Sequence, residues 1–314
     1  MRWRRTTGTA PPAAWPSAPS KTLDPTFALL AAARFAHFAS AGLLFGLTAF
    51  PFYAYGAGQE PLRFPRALRW SGVIALVSSW AVLLMMAAGM GGSINAAVDP
   101  HVLASAVSDT EFGRVWMVRI LLAIVLLAVM VRPRPARDKL MLILSGLFLA
   151  SVALTGHSAM PGGVPGILHR LADAVHLIAA GWWIGGLLAL VLAARRLGPD
   201  AAAVLHRFSG VGYGAVAEIV FTGLFKSAIL VATLNGADST AYGLTLLLKV
   251  ILFLGMSALA LSNRFWITPG LDRGGDLDLW LKRLQWQVGA EFALGMGVMA
   301  AVGALGAMSP PISG

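Results

Sequence analysis

"LADAVHLIAAGWWIGGLLALVLAARR", residues 171 to 196, runs from His176 to Ala194 without another charge and stops at Arg195 and Arg196. At 1.5 Å per residue, roughly 20 apolar residues in a helix cross about 30 Å of hydrocarbon, so this stretch is long enough to span a bilayer. The pattern recurs along the chain, with apolar runs near 26–50, 68–91, 114–132, 139–156, 170–194, 208–234, 243–263 and 286–308. Backbone amides in lipid must be satisfied within their own segment, which makes each run a helix. The short alternating strands of a membrane barrel are missing, and the expected fold is all-α with eight transmembrane helices.

Composition agrees. The 314 residues are 57% hydrophobic and 12% charged, with a mean hydropathy of +0.74. A soluble domain carries about twice that share of charge. The net charge of +10 sits at loop ends and not in a patch, so the positive-inside bias accounts for it and nucleic-acid binding does not. The basic loops hold Arg63, Arg66 and Arg69; Arg132, Arg134, Arg137 and Lys139; Arg195, Arg196 and Arg207; and Arg264, Arg273, Lys282 and Arg283. Placing these loops in the cytoplasm puts both termini outside. Residues 1–24, rich in Pro, Ala and Ser, read as a disordered tail before a membrane domain of residues 25–314.

The chain has no cysteine, so a metal would have to sit on His, Met, Asp or Glu. In the expected topology five of its six histidines lie toward the outer face, and His206 faces the cytoplasm. His157 and His169 flank an outer loop, His176 lies about 10 Å below it, and His37 lies about 18 Å down the first helix. His169, Asp173 and His176 follow i, i+4, i+7 spacing, within roughly 60° on one helix face. Two imidazoles and a carboxylate suit a borderline divalent ion. The alternative is a polar helix end in which Asp173 pairs with Arg170 and His176 bonds to a neighbouring helix. Met160, three residues after His157, offers a thioether of the kind that selects Cu(I), although methionine is also ordinary membrane filler. Arg34, Glu218, Lys226 and Lys249 are ionisable groups inside apolar runs, where such groups form structural ion pairs or mark a proton or ion path. The glycines of "GWWIGG" (181–186) read as close-packing positions between helices.

"TEFGRVWMVRILLA" (110–123), "LTGHSA" (154–159), "LADAVHLIAAGWWIGGLLAL" (171–190), "RFSGVGYGAVAEIVFTGLFKSAI" (207–229) and "YGLTLLLKVILFLGMSALALSNRF" (242–265) resemble the CopD family of copper-resistance inner-membrane proteins, which includes PcoD. The likeness runs over about residues 25 to 308 and is most specific at Gly156-His157 and Asp173-Ala-x-His176. It implies an eight-helix bacterial inner-membrane protein with periplasmic termini, set among membrane lipid. Such a protein works beside a periplasmic CopC-like copper carrier and moves copper, as Cu(I) or Cu(II), toward the cytoplasm. The chain departs from the family in its basic Pro-rich N-terminal stretch and in carrying no fused CopC-like domain within these residues. On this reading copper is received by His157, Met160 and His169 and passes to His176 beside Asp173. It then meets His37 across the bundle, with Glu218 and Lys226 balancing charge. Neither a Walker lysine motif nor a phosphorylatable "DKTG" occurs, so ATP-driven transport and enzymatic activity are not expected. The rival reading is a haem-b-binding membrane oxidoreductase with His37 and His176 as axial ligands.

Overall fold

The computed structural model describes residues 25–133, 135–155, 163–233, 241–273 and 276–308, without the side chains of 195, 199 and 226–233. Within these residues the chain is helical and has no strand. The long helices are α1 (Pro25–Tyr53), α2 (Pro65–Gly91), α4 (Glu111–Met130), α6 (Gly163–Ala193), α7 (Ala201–Thr233), α8 (Ala241–Ser262) and α10 (Leu277–Leu305). Shorter elements are α3 (Pro100–Ser108), α5 (Ala136–Ala150) and α9 (Thr268–Asp272). Among the described residues seven helices are long and apolar enough to cross a membrane. α5 continues into a 3₁₀ turn, Ser151–Leu154, and at 1.5 and 2.0 Å per residue the two together reach about 30 Å. The tail assigned to residues 1–24 lies outside the described residues.

Local chemistry sets the helix ends. Pro65 opens α2, where its missing N–H costs nothing. Asp99 caps α3 by accepting from His101 N at 2.8 Å, Thr110 caps α4 by accepting from Gly113 N at 2.9 Å, and Asp276 caps α10 through Leu279 N at 3.0 Å.

Helices surrounded by lipid gain nothing by hiding apolar surface from one another, so their contacts depend on small residues that bring backbones together. α1 and α6 meet through "GLLFG" (42–46) and "GWWIG" (181–185), in parallel. A Cβ at Gly46 would stand 2.2 Å from the Gly181 carbonyl oxygen and 2.5 Å from Gly185 Cα, and one at Gly185 would stand 2.4 Å from Gly46 Cα. The close-packing role expected for "GWWIGG" is what the structure shows. At the other edge of α1, a Cβ on Gly303 of α10 would lie 2.9 Å from Ala31 O and Phe35 N. The end of α10 therefore packs on the start of α1, and the first and last helices begin and end at the same end of the bundle. At the opposite end Arg63 pairs with Asp138 at 2.7 Å, Arg137 with the same carboxylate at 3.1 Å, and Arg207 donates to Gln59 at 3.1 Å.

Candidate functional site

Two buried polar centres and one polar face lie within this framework. The first centre joins α1, α2, α4 and α5. His37 and Arg119 are both fully buried, and the Arg119 guanidinium donates to His37 Nε2. Arginine has no acceptor atom, so Nε2 carries the lone pair and the imidazole proton is on Nδ1. Ser78 Oγ lies 3.2 Å from that nitrogen and gives its own proton to Ala75 O, which leaves its oxygen to accept. Arg119 also donates to Ser151 Oγ at 2.6 Å and to Phe148 O at 3.2 Å, and lies 4.9 Å from the ring centres of both Trp116 and Phe148. Trp116 Nε1 donates to Ser79 O at 2.6 Å, which fixes the wall. Both nitrogens of His37 are thus engaged, by a cation on one side and a hydroxyl on the other. A metal or haem iron could reach this imidazole only after Arg119 or Ser78 had moved.

The second feature is the face of α6 that packs on α7. His176 Nδ1 lies 2.7 Å from Thr222 Oγ1, and the threonine hydroxyl donates to Glu218 O at 2.6 Å. The threonine proton is therefore spoken for, so His176 donates from Nδ1 and holds its lone pair on Nε2, the arrangement common to metal-binding imidazoles. Two turns outward, the His169 ring lies 5.6 Å from that of Phe225. Both His169 nitrogens are shielded from solvent and have no hydrogen-bond partner among the described residues. Asp173 is buried on the same face between them. The i, i+4, i+7 spacing thus turns His169 and His176 toward α7, with Asp173 buried between them in the sequence of α6. Among the described residues no three His, Asp or Glu side chains converge as a closed metal cluster. His157 and Met160, expected to complete the set, lie outside the described residues.

The structure does not bring His37 to His176. His37 faces α2, α4 and α5, and His176 faces α7. Of the expected relay, Glu218 and Lys249 are half-buried, and the Lys226 side chain lies outside the described residues. Arg34 lies against the end of α10, where a Cβ on Gly306 would stand 2.8 Å from its Nε. His206 bonds to Asp272 at 2.8 Å and to Arg264 at 2.7 Å, far along the chain from the other histidines. A cavity of about 590 Å³ opens beside Arg63, Phe64, Arg69, Arg137 and Met141, at the same end as these basic loops and away from the His169–His176 face.

Sequence reasoning missed the second buried centre. Glu291 of α10, 1% exposed, accepts from Trp183 Nε1 of α6 at 2.9 Å and from Asn263 Nδ2 at 2.8 Å. It also missed Arg119. The available signal was the one that marked Glu218 and Lys226, a single ionisable residue inside an apolar run.

Two family models match this chain. The N-terminal domain of copper resistance protein D-like proteins matches residues 22–167, and copper resistance protein D matches residues 202–305. Inner membrane protein YebZ of Escherichia coli (strain K12) is 33% identical over 276 residues, 82% of this chain and 92% of that protein. Copper resistance protein D of Pseudomonas syringae pv. tomato is 30% identical over 298 residues, 89% of this chain and 96% of that protein. Copper transport protein CutJ of Bacillus subtilis (strain 168) is 29% identical over 302 residues, 90% of this chain but 53% of that longer protein. No solved structure matches. A cysteine-free helical membrane bundle with a buried imidazole is therefore matched in both halves by copper-resistance models and nearly end to end by two relatives, and the chain belongs to the copper resistance protein D family.

Proposed function

We propose that this protein takes copper from the outer face of the inner membrane, where α6 meets α7, and passes it toward the cytoplasm without enzymatic turnover. The chain crosses the membrane eight times with both termini outside, and a periplasmic CopC-like protein delivers the ion. The observation that carries this reading is the α6 face. There both ring nitrogens of His169 are without a hydrogen-bond partner among the described residues, and two turns inward Thr222 orients His176 with its lone pair on Nε2. Asp173 lies between them and supplies negative charge for an arriving cation. His157 and Met160 belong to the receiving end of the same path. His37 does not, because its Nε2 faces a guanidinium, and a fixed cation in a low-dielectric wall repels a copper ion.

The test is copper binding by the purified protein. His169→Ala and His176→Ala should each lower affinity or stoichiometry by about tenfold or more, since loss of a ligand or of its orienting partner commonly has that effect. His206→Ala, whose imidazole is tied to Asp272 and Arg264, should bind as wild type does. Equal binding by all four proteins would remove the α6 face from copper handling. Direction is read in cells at low external copper. Wild type should accumulate more cytoplasmic copper than His157→Ala/His176→Ala, and a higher level in the double variant would make the protein an exporter.

A further inference from the structure

We propose that Glu291 is a proton-exchange site at the middle of the membrane domain, and that Asn263 is the group that accommodates both of its protonation states. Glu291 is the central residue of the 29-residue α10, with 14 residues on either side, about 21 Å from each end. Its two carboxyl oxygens each face one neutral donor, Trp183 Nε1–H and Asn263 Nδ2–H. Among the described residues no cation reaches it. The charged and titratable groups on the elements packed around α10 are engaged elsewhere or lie turns away. On α1, His37 bonds to Arg119, and Arg34 lies near Gly306. On α6, His169, Asp173 and His176 are about two turns or more before Trp183, Arg196 in the turn after α6 is more than three turns beyond it, the Arg195 side chain lies outside the described residues, and Lys249 of α8 is about four turns before Asn263. Arg264 bonds to His206, Asp272 bonds to the same imidazole, and Asp200 accepts from Gln59. On α10 itself Lys282 pairs with Asp278, and Arg283 stacks on Trp280. Among the described residues Glu291 therefore has only the indole and the amide.

A buried carboxylate held by neutral donors is costly when ionised, and when protonated it needs an acceptor for its new O–H. Asn263 can provide one. Its Oδ1 is buried and has no hydrogen-bond partner among the described residues, while its Nδ2 is bonded to Glu291. Rotating the amide by half a turn would put Oδ1 where Nδ2 stands, ready to accept from a protonated Glu291, while Trp183 goes on donating. In each state one amide atom is left without a partner, so neither state is locked by the count of bonds. The backbone holds this amide in place. Residues Asn263–Ile267 form a π-helical turn just ahead of Pro269, and Asn263 O accepts from the Thr268 N–H and from Thr268 Oγ1 at 3.0 Å. Such wide turns recur at functional positions.

The same edge of α10 links this acid to the cargo. Glu291, Gly295 and Met299 follow one another at four-residue steps, all buried. Over bare Gly295 lies Met256 of α8, whose Sδ is 3.4 Å from where a Cβ would be. Two thioethers, soft ligands for Cu(I), thus lead toward the carboxyl group from the Met299 end of α10. As Cu(I) arrives, the Glu291 O–H bond breaks and its proton leaves to water, so one positive charge replaces another. When the ion departs, a proton returns. This linkage rests on the transport reading above, but the proton site itself does not.

Two measurements test the proposal on the full chain. Infrared difference spectra between acidic and alkaline buffer should show a carboxylic C=O band that is lost in Glu291→Gln and shifted in Asn263→Leu. Glutamine keeps the shape, accepts from Trp183 and donates to Asn263 Oδ1, so this variant folds as the protonated form does. In proteoliposomes given Cu(I) as its acetonitrile complex, wild type should move protons opposite to copper, and Glu291→Gln should lose that flux. A set of titrating carboxylic C=O bands that is the same in Glu291→Gln as in wild type, or an unchanged proton flux, overturns the proposal. If wild type moves no copper while the band behaves as expected, the transport reading fails and the proton site stands.

Discussion

Valine at position 185 should leave little or no folded protein. The Gly185 Cα lies against Gly46 of α1 so closely that even one added carbon would sit 2.4 Å from backbone, and no rotamer relieves a clash with backbone. Overpacking a core typically costs about 1–3 kcal/mol when side chains can shift. Here whole helices would have to part, and the expected loss is at the top of that range or beyond it. Size-exclusion chromatography in detergent should show the monodisperse peak reduced to a small fraction for Gly185→Val and for Gly46→Val. The control is Gly289→Ala on α10, where a Cβ meets nothing within 4 Å and helix propensity favours the change by up to about 1 kcal/mol. A wild-type peak and melting temperature for Gly185→Val would mean that the helices do not meet at these glycines.

The second large effect is at His37. Leucine there would leave the Arg119 guanidinium without the imidazole acceptor and Ser78 without its donor. A hydrogen bond to a charged group is worth about 1.5–3 kcal/mol, and the cation stays buried after its acceptor is gone. His37→Leu should therefore lower the melting temperature by several degrees or prevent isolation. His37→Gln should recover most of the loss, because its Oε1 can accept from Arg119 and its Nε2 can donate to Ser78. Glutamine is a poor copper ligand, so the pair also separates roles. Copper binding retained in His37→Gln makes this imidazole a structural acceptor, and binding lost at wild-type stability makes it a ligand.

The membrane spans were legible because run length reports hydrocarbon thickness directly, and "GWWIGG" was legible because lipid rewards small residues at helix contacts. The α6 face was legible in part, since i, i+4, i+7 spacing lies within one helix. What escaped was set by contacts between helices. "GLLFG" of α1 is an ordinary apolar string until α6 is laid against it. Arg119 stands in "WMVRILLA" with no carboxylate nearby in sequence, and its acceptors come from α1 and α5. Glu291 looks like a lone acid in "VGAEFALG", and its indole and amide come from α6 and the turn after α8. The expected meeting of His37 with His176 came from depth alone. Depth says how far down a side chain lies and nothing about which neighbour it faces.

α6 carries one further implication. The two matched segments end at residue 167 and resume at residue 202, so most of this helix falls between them. Yet α6 presents Gly181 and Gly185 to α1 on one edge and His169 and His176 to α7 on another. A chimera that joined the front of this chain to the back of a relative would have to choose which parent supplies α6, and either choice sets one parent's helix against the other parent's flank. Drift in α6 is thus answerable to both flanks at once, which ties the inheritance of the N-terminal half to that of the C-terminal half through a helix that neither owns.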